Sequence, residues 1–299
     1  MEIWVITTIA AALLQNVRNS LQQSINSVLS TSGAAYTRFA FGLPLAAIYW
    51  FALRSQDSQP LEWEFEFWGF AALGGIAQIL AMWFLLRSFQ LRSFAVGTAY
   101  SKTETFQAAV FTIVLLGEAV SGAAFVAIAI SFVGVCFLSL AKMTVGVREF
   151  LTSWTNKGAL MGLANGAMLG LSAVSYRGAA LSLGGDSAIL AAAATLVVAL
   201  SIQTVVMTVY LKIFEVGELS RVWQNRGKGT LVGIASMLGS AGWFTAMTLQ
   251  NVAYVRAVGQ VELIFTFLTA ILIFRESIRW TELLGTALII AGILFLLVD

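Results

Sequence analysis

The polar side chains of this chain that could bind a solute lie inside long apolar segments. Near the N-terminus, amides and one guanidinium recur at three- and four-residue spacing, which puts them on one face of a helix. Such a face cannot contact lipid, so it lines a cavity for a polar solute or forms a hydrogen-bonded seam with another helix. We expect cavity lining, because a seam rarely needs an arginine as well as several amides. The residues of this face that we assign to a substrate site are Gln15, Arg18, Asn19 and Gln22.

Two further apolar segments carry a carboxylate, and an ionisable group at membrane depth costs about 3 kcal/mol. Lys102 precedes Glu104 by two residues, and Gln260 precedes Glu262 by two residues. A carboxyl group removed from water binds a proton more readily. Glu104 and Glu262 are therefore candidates for proton coupling or for binding an amine, in a chain that has no histidine. The alternative, for Lys102 above all, is an internal ion pair that braces two helices.

Other residues inside apolar segments complete the predicted substrate site. Arginine and lysine offer a cation to a carboxylate or phosphate group, and tryptophan can stack on an organic group. The members, besides those above, are Trp83, Asn165, Arg177, Gln203 and Trp243. We expect Arg38, near the start of a helix, to extend its guanidinium to the membrane surface instead.

The composition indicates an integral membrane protein. Of the 299 residues, 59% are hydrophobic and 11% are charged, whereas about 25% are charged in soluble proteins. The lack of histidine excludes a Ser-His-Asp triad and a His-ligated metal, and the single Cys136 excludes a disulfide framework. The net charge of +2 and the lack of a basic cluster argue against nucleic acid as a partner. We expect no enzyme activity, no cofactor and no metal site.

Segments of about 20 apolar residues, the length that crosses a bilayer, predict an all-α protein with ten transmembrane helices. We place these helices at 3–26, 32–53, 66–88, 95–116, 119–141, 158–182, 187–211, 229–249, 256–274 and 280–298. The polar stretch 142–157 connects two halves, 1–141 and 158–299. A glycine at every fourth position of the sixth helix, Gly158 to Gly170, predicts close helix packing within a monomer, with a weak homodimer as the alternative.

The two halves resemble each other in sequence. Three residues of the first half recur 158 residues later, namely Glu104, Glu118 and Gly134 as Glu262, Glu276 and Gly292. Because each half has an odd number of helices, the second half must enter the membrane in the opposite orientation. Inverted repeats of this kind are typical of transporters that bind substrate at the repeat interface near the midplane. We expect helices 1, 4, 6 and 9 to form that site.

Three short segments, together with the helix count and the repeat, resemble the EamA-type drug/metabolite transporter superfamily over the whole chain. These segments are Arg38–Pro44, Leu116–Glu118 and Gly259–Glu262. The family often carries a proline in the fourth helix of each half, where this chain has Thr105 and Leu263. A proline is thus not available to kink these helices. The resemblance implies a secondary carrier, often an exporter of amino acids, nucleosides or other metabolites, with both termini in the cytoplasm.

The sequence therefore predicts a secondary transporter of small polar metabolites, amino-acid-like or otherwise anionic or zwitterionic. It would export or exchange them by alternating access in the bacterial inner membrane. A channel and a structural membrane subunit without transport are the alternatives. The distribution of charge and the family resemblance give opposite orientations of the chain in the membrane. The odd-numbered connections between helices hold eleven lysines and arginines, and the even-numbered connections hold two. The positive-inside rule then places both termini outside.

Overall fold

The computed structural model describes residues 2–57, 60–89, 100–141, 156–272 and 279–298, and within these ranges the chain is helical without a β-strand. The helices are α1 (Ile3–Ile25), α2 (Thr31–Ala40), α3 (Gly42–Arg54), α4 (Phe65–Phe89), α5 (Glu104–Leu116), α6 (Gly122–Ala141), α7 (Lys157–Ser182), α8 (Ala188–Phe214), α9 (Glu218–Gln224), α10 (Arg226–Leu249), α11 (Val252–Gly259), α12 (Val261–Leu272) and α13 (Trp280–Val298).

Six of these helices are long and apolar enough to cross a membrane, namely α4, α6, α7, α8, α10 and α13. The protein is accordingly an all-helical, multi-pass membrane protein, and this part of the predicted fold class is confirmed. Ten spans stay a prediction. Of the other predicted spans, 3–26 carries the polar face of α1, and 32–53 and 256–274 are each divided between two shorter helices, α2 and α3 or α11 and α12. Residues 95–99 of the predicted span 95–116 lie outside the described residues.

The second predicted span is divided at Phe41, between α2 and α3. Pro44 has no backbone N–H to bond the carbonyl of Ala40, which weakens a continuous helix at this point. The bend brings Phe41 against α10, where a Cβ atom at Gly233 would lie 2.6 Å from the Phe41 Cβ and 2.7 Å from its carbonyl carbon. Glycine at this position therefore permits the contact between the bend and α10.

The chain forms two compact units, and each draws on both predicted halves of the sequence. Unit 1 comprises Met1–Ile76 and Ser175–Leu249, and unit 2 comprises Ala77–Val174 and Gln250–Asp299. The predicted halves 1–141 and 158–299 describe a repeat in sequence rather than a compact body, and they stay a prediction. Within unit 1, helix α10 packs against α1, α2, α3 and α8.

A connection of unit 1 is fixed to the start of α2 by two carboxylates. Glu218 is only 3% exposed, and its Oε1 accepts a hydrogen bond from the backbone N–H of Ser30 at 2.6 Å. Glu215 accepts a further hydrogen bond from the Ser30 hydroxyl. Negative charge at a helix N-terminus is stabilised by the unpaired N–H groups and the helix dipole. Both carboxylates therefore act on the first turn of α2.

Within unit 2, α6 and α13 pack with their backbones almost in contact. A Cβ atom at Gly134 would lie 2.6 Å from the carbonyl oxygen of Gly285, and one at Gly292 would lie 2.8 Å from that of Ala127. The two contacts are related by the repeat, since Gly292 follows Gly134 by 158 residues and Gly285 follows Ala127 by 158 residues. The same offset that relates the sequences thus also relates the two contacts between these helices.

The glycines of α7 make a similar contact in unit 2. A Cβ atom at Gly166 would lie 2.7 Å from the carbonyl oxygen of Ser101, and one at Gly170 would lie 3.1 Å from the backbone nitrogen of Ala108. The predicted close packing of this glycine series within one chain is confirmed at these two positions. The contact brings α7 against the residues that begin α5.

Candidate functional site

The helices of unit 2 are interrupted at two positions that are equivalent in the sequence repeat. A turn at Lys102 and Thr103 precedes α5, and a turn at Gln260 separates α11 from α12. Lys102 and Gln260 are 158 residues apart. Thr103 has φ −65° and ψ −8°, and Gln260 has φ −59° and ψ −13°. These dihedrals are typical of a 3₁₀ turn, which often marks a functional hinge within a helix.

Side chains connect the two interruptions directly. Nε2 of Gln260 donates a hydrogen bond to Oγ1 of Thr105 at 2.9 Å, so the polar residue of one turn reaches the first turn of α5. Gln107 in turn donates to Oγ1 of Thr103 at 2.9 Å. The sequence offers no proline that could kink the helices here, at Thr105 or Leu263. The interruptions form without proline, and polar side chains hold them.

Glu104 lies beside Arg256 in the same region. Arg256 Nε and Glu104 Oε1 are 3.0 Å apart, and the two side chains are 20% and 14% exposed. The two atoms are at ion-pair distance, although their relative orientation does not meet the angular requirement of a hydrogen bond. The pair is held by Coulomb attraction, which depends little on orientation. The bracing ion pair that we considered for Glu104 thus has Arg256 as the partner in the described structure.

The remaining candidates of unit 2 have varied surroundings. Asn165 is buried, and its Nδ2 donates to the carbonyl oxygen of Ala81 at 2.7 Å, which ties α7 to α4. Trp83 is exposed on α4, where the Arg87 guanidinium lies 5.9 Å from the centre of its ring. Glu262 is half-buried in the first turn of α12. Lys102 is half-buried in the interruption itself.

In unit 1, two predicted site residues from distant parts of the chain meet. Trp243 on α10 donates from Nε1 to Oε1 of Gln15 on α1 at 3.1 Å. Further along α1, Arg18 donates to the side chain of Asn19 at 2.8 Å, and Gln22 is half-buried one turn later. The polar face of α1 is therefore connected to α10 through Gln15, while α1 packs on α10 through small residues such as Ala11.

Two other predicted residues of unit 1 have structural partners. Gln203 is 1% exposed, and its Nε2 donates to the hydroxyl of Tyr176 at 3.0 Å. Arg177 donates from NH1 to the carbonyl oxygens of Met247 at 2.6 Å and Thr248 at 3.0 Å. These carbonyls belong to the C-terminal end of α10, where a cation is favoured by the helix dipole. The contact gives Arg177 a capping role.

Arg38 on α2 is a residue whose role sequence reasoning missed. Its Nε is buried and makes no hydrogen bond to the described residues, which differs from an arginine that extends to the membrane surface. Its guanidinium lies 4.9 Å from the centre of the Phe39 ring. A cation–π contact contributes about 0.5–2 kcal/mol. The available signal in the sequence was the position of this arginine inside the predicted span 32–53.

Comparisons with known proteins inform the fold but not the chemistry. No protein-family model matches the sequence, and no curated protein matches it. A solved crystal structure is similar to the chain over 98% of this chain and 98% of that one, with a TM-score of 0.67 and 15% sequence identity. At this identity the likeness concerns the fold alone, so the chain has a fold that is also found in a crystal structure.

Proposed function

We propose that this protein is a secondary transporter of small polar organic solutes that works by alternating access, in export or exchange. The solutes are amino-acid-like or otherwise anionic or zwitterionic. The proposal includes membership in the EamA-type drug/metabolite transporter superfamily and a place in the bacterial inner membrane. It assigns no catalytic reaction, cofactor or metal to the chain, and its partners are the solute and the lipid bilayer.

The observation that carries the proposal is the pair of helix interruptions at Lys102–Thr103 and Gln260. Interrupted helices are tolerated at membrane depth only where protein or a water-filled cavity satisfies the backbone, and in transporters they mark substrate and ion sites. Here both interruptions are polar, they recur at one offset in sequence, and the Gln260–Thr105 hydrogen bond joins them. A purely structural membrane subunit has no need for this repeated arrangement.

Glu104 and Glu262 are the candidates for proton coupling in this proposal. Each is the acidic residue in the first turn of the helix that follows an interruption, and each is half-buried. Glu104 also lies beside Arg256, with Oε1 and Nε 3.0 Å apart. We therefore assign proton coupling to these two carboxylates and compare their variants side by side.

Counterflow in proteoliposomes tests the proposal. The purified protein is reconstituted with a panel of unlabelled amino acids and other metabolites inside, and labelled solute is added outside with and without a pH gradient. Transport predicts saturable counterflow, which Glu262→Gln uncouples from the pH gradient. Glu66→Gln is the matched control, since Glu66 is also an acidic residue in the first turn of a helix, α4, but is exposed.

The same preparation separates the alternatives. A channel gives flux that does not saturate and shows single-channel currents in a planar bilayer. A structural subunit gives no flux with any solute. If Glu262→Gln and Glu104→Gln both leave coupled counterflow unchanged, the assignment of these carboxylates is wrong even though transport stands.

A further inference from the structure

The end of α8, the short helix α9 and the start of α10 form a cationic surface of unit 1, which we call the basic connection (residues 212–228). Its four basic side chains are all exposed, namely Lys212, Arg221, Arg226 and Lys228. The same segment has two acidic residues, Glu215 and Glu218, so its formal charge is +2. The position of these two carboxylates decides how much of the positive charge is left on the outside.

Both carboxylates of the basic connection are used within the protein. Glu218 is buried and accepts the backbone N–H of Ser30 at 2.6 Å, and Glu215 is half-buried and accepts the Ser30 hydroxyl. Arg221 is the cation that reaches them, with Nη1 3.3 Å from Oε2 of Glu218. The other three cations form no ion pair with the described residues. The outer surface of the segment therefore keeps the charges of Lys212, Arg226 and Lys228.

Large apolar side chains are exposed beside these cations, namely Ile213, Phe214, Val216 and Trp223. The Arg226 guanidinium lies 5.7 Å from the centre of the Trp223 ring, so a cation and an aromatic ring are presented together. On the other side of α9, the buried Val222 packs against Ile25 and Leu29 and fixes the helix to unit 1. Exposed apolar and aromatic side chains next to cations are typical of segments that lie at a membrane–water interface.

The other end of α8 has the opposite charge. Helix α8 has 27 residues and is therefore about 40 Å long. Just before its start, the carbonyl oxygen of Leu183 accepts the backbone N–H of Glu62 at 2.8 Å, which places the segment before α4 at this end. The exposed charged residues of these two segments are acidic, namely Glu62, Glu64, Glu66 and Asp186. Trp63 and Trp68 are exposed there as well. Exposed tryptophans thus occur at both ends, and the sign of the charge distinguishes them.

We propose that the basic connection is a binding surface for the headgroups of anionic phospholipids. Each lysine or arginine near an anionic membrane surface strengthens binding about fivefold. Lys212, Arg226 and Lys228 meet the lipid phosphates, while the exposed apolar side chains enter the boundary between headgroups and acyl chains. This surface goes beyond the proposed function, because it binds lipid whether or not the chain moves a solute.

A lipid titration of the purified protein in detergent tests this surface. Dioleoyl phosphatidylglycerol is added, and dioleoyl phosphatidylcholine serves as the lipid with the same acyl chains and no net charge. The thermal unfolding temperature reports binding, since a ligand of the folded state raises it. For half-maximal stabilisation, the wild-type protein should need at least about tenfold less phosphatidylglycerol than phosphatidylcholine. Salt should shrink this difference, because it screens exposed charges. Equal stabilisation by the two lipids would overturn the proposal.

A triple variant identifies the residues that bind the headgroup. Lys212→Gln, Arg226→Gln and Lys228→Gln are combined, and Arg221 is left in place because it contacts Glu218. The triple variant should need at least about tenfold more phosphatidylglycerol and should respond to phosphatidylcholine as wild type does. An unchanged preference for phosphatidylglycerol would contradict the assignment. If this variant failed to fold, the double variant without Arg226→Gln should still lose about tenfold or more in affinity, and an unchanged affinity there would likewise contradict it.

A matched control removes the same charge elsewhere. Arg87→Gln, Lys157→Gln and Arg279→Gln are combined, since these three cations of unit 2 are also exposed. This control should keep the wild-type preference for phosphatidylglycerol. An equal loss in both triple variants would show that total charge, rather than the basic connection, attracts the lipid. Inorganic phosphate should not stabilise the protein at the lipid concentrations used, and equal stabilisation by phosphate would assign the surface to a soluble anion instead.

Discussion

Glu104 in α5 and Arg256 in α11 form an ion pair within unit 2, with Oε1 and Nε 3.0 Å apart and both side chains largely buried. The pair joins two helices that begin or end at an interruption. Glu104 lies in the first predicted half of the chain, and Arg256, six residues before Glu262, lies in the second. The ion pair therefore also joins the two predicted repeats.

Removing either partner of this pair should cost more stability than removing both. Glu104→Gln leaves a partly buried cation uncompensated, and Arg256→Gln leaves a partly buried carboxylate. We expect a coupling free energy of about 1–3 kcal/mol in a double-mutant cycle. Chemical unfolding of the two single variants and the double variant measures it. Additive effects within about 0.5 kcal/mol would show that the two charges act independently.

Alanine at Gly134 or Gly292 should destabilise the packing of α6 on α13 by about 1–3 kcal/mol, because the added methyl group would overlap backbone atoms of the other helix. Gly122→Ala is the control, since nothing lies within 4 Å of a Cβ atom there and Gly122 is also in α6. Thermal unfolding in a single detergent compares the three variants. If Gly134→Ala were as stable as Gly122→Ala, the close approach of the two helices would be wrong.

Arg177→Gln should lower stability rather than the affinity for solute. The substitution removes charge-assisted hydrogen bonds to the carbonyls of Met247 and Thr248, which are worth about 1.5–3 kcal/mol. We expect a lower unfolding temperature together with an unchanged KM for counterflow in the protein that remains folded. A raised KM at unchanged stability would return Arg177 to the substrate site that the sequence predicts for it.

The orientation in the membrane can be decided at Arg221. Its side chain is 64% exposed, so a cysteine there would be accessible from whichever side it faces. In an Arg221→Cys variant that also carries Cys136→Ala, no other cysteine is present. The distribution of lysine and arginine places this connection in the cytoplasm. We therefore expect no reaction with a membrane-impermeant maleimide in intact cells, and reaction after permeabilisation. Labelling of intact cells would instead support termini in the cytoplasm.

Sequence patterns identified the membrane class and several contacts because these depend on composition and local spacing. The low charge predicted helices in a bilayer. The glycines of α7 predicted where helices approach closely. The missing prolines at Thr105 and Leu263, in contrast, left the course of these helices undecided. Hydrogen bonds from Gln260 and Gln107 stabilise the turns there, and no single residue type indicates such turns in the sequence.

The partners of the charged residues could not be predicted from spacing. Lys102 lies closer to Glu104 in sequence, but residues two apart on a helix point in different directions, and Arg256 is the cation that reaches it. Arg177 and Arg38 look alike in sequence, since each is the only charged residue of its predicted span, 158–182 or 32–53. One caps α10 through two carbonyls, whereas the other has a buried Nε without an acceptor among the described residues.

The sequence by itself determined that this chain is a helical membrane protein with an internal repeat, because hydropathy and residue offsets are properties of the chain alone. Only the tertiary structure decided which polar groups compensate one another. Such pairing depends on distances of a few ångströms between residues that are far apart in the chain, such as the 228 positions between Gln15 and Trp243. The ion pair of Glu104 with Arg256 likewise joins residues from the two predicted halves of the chain.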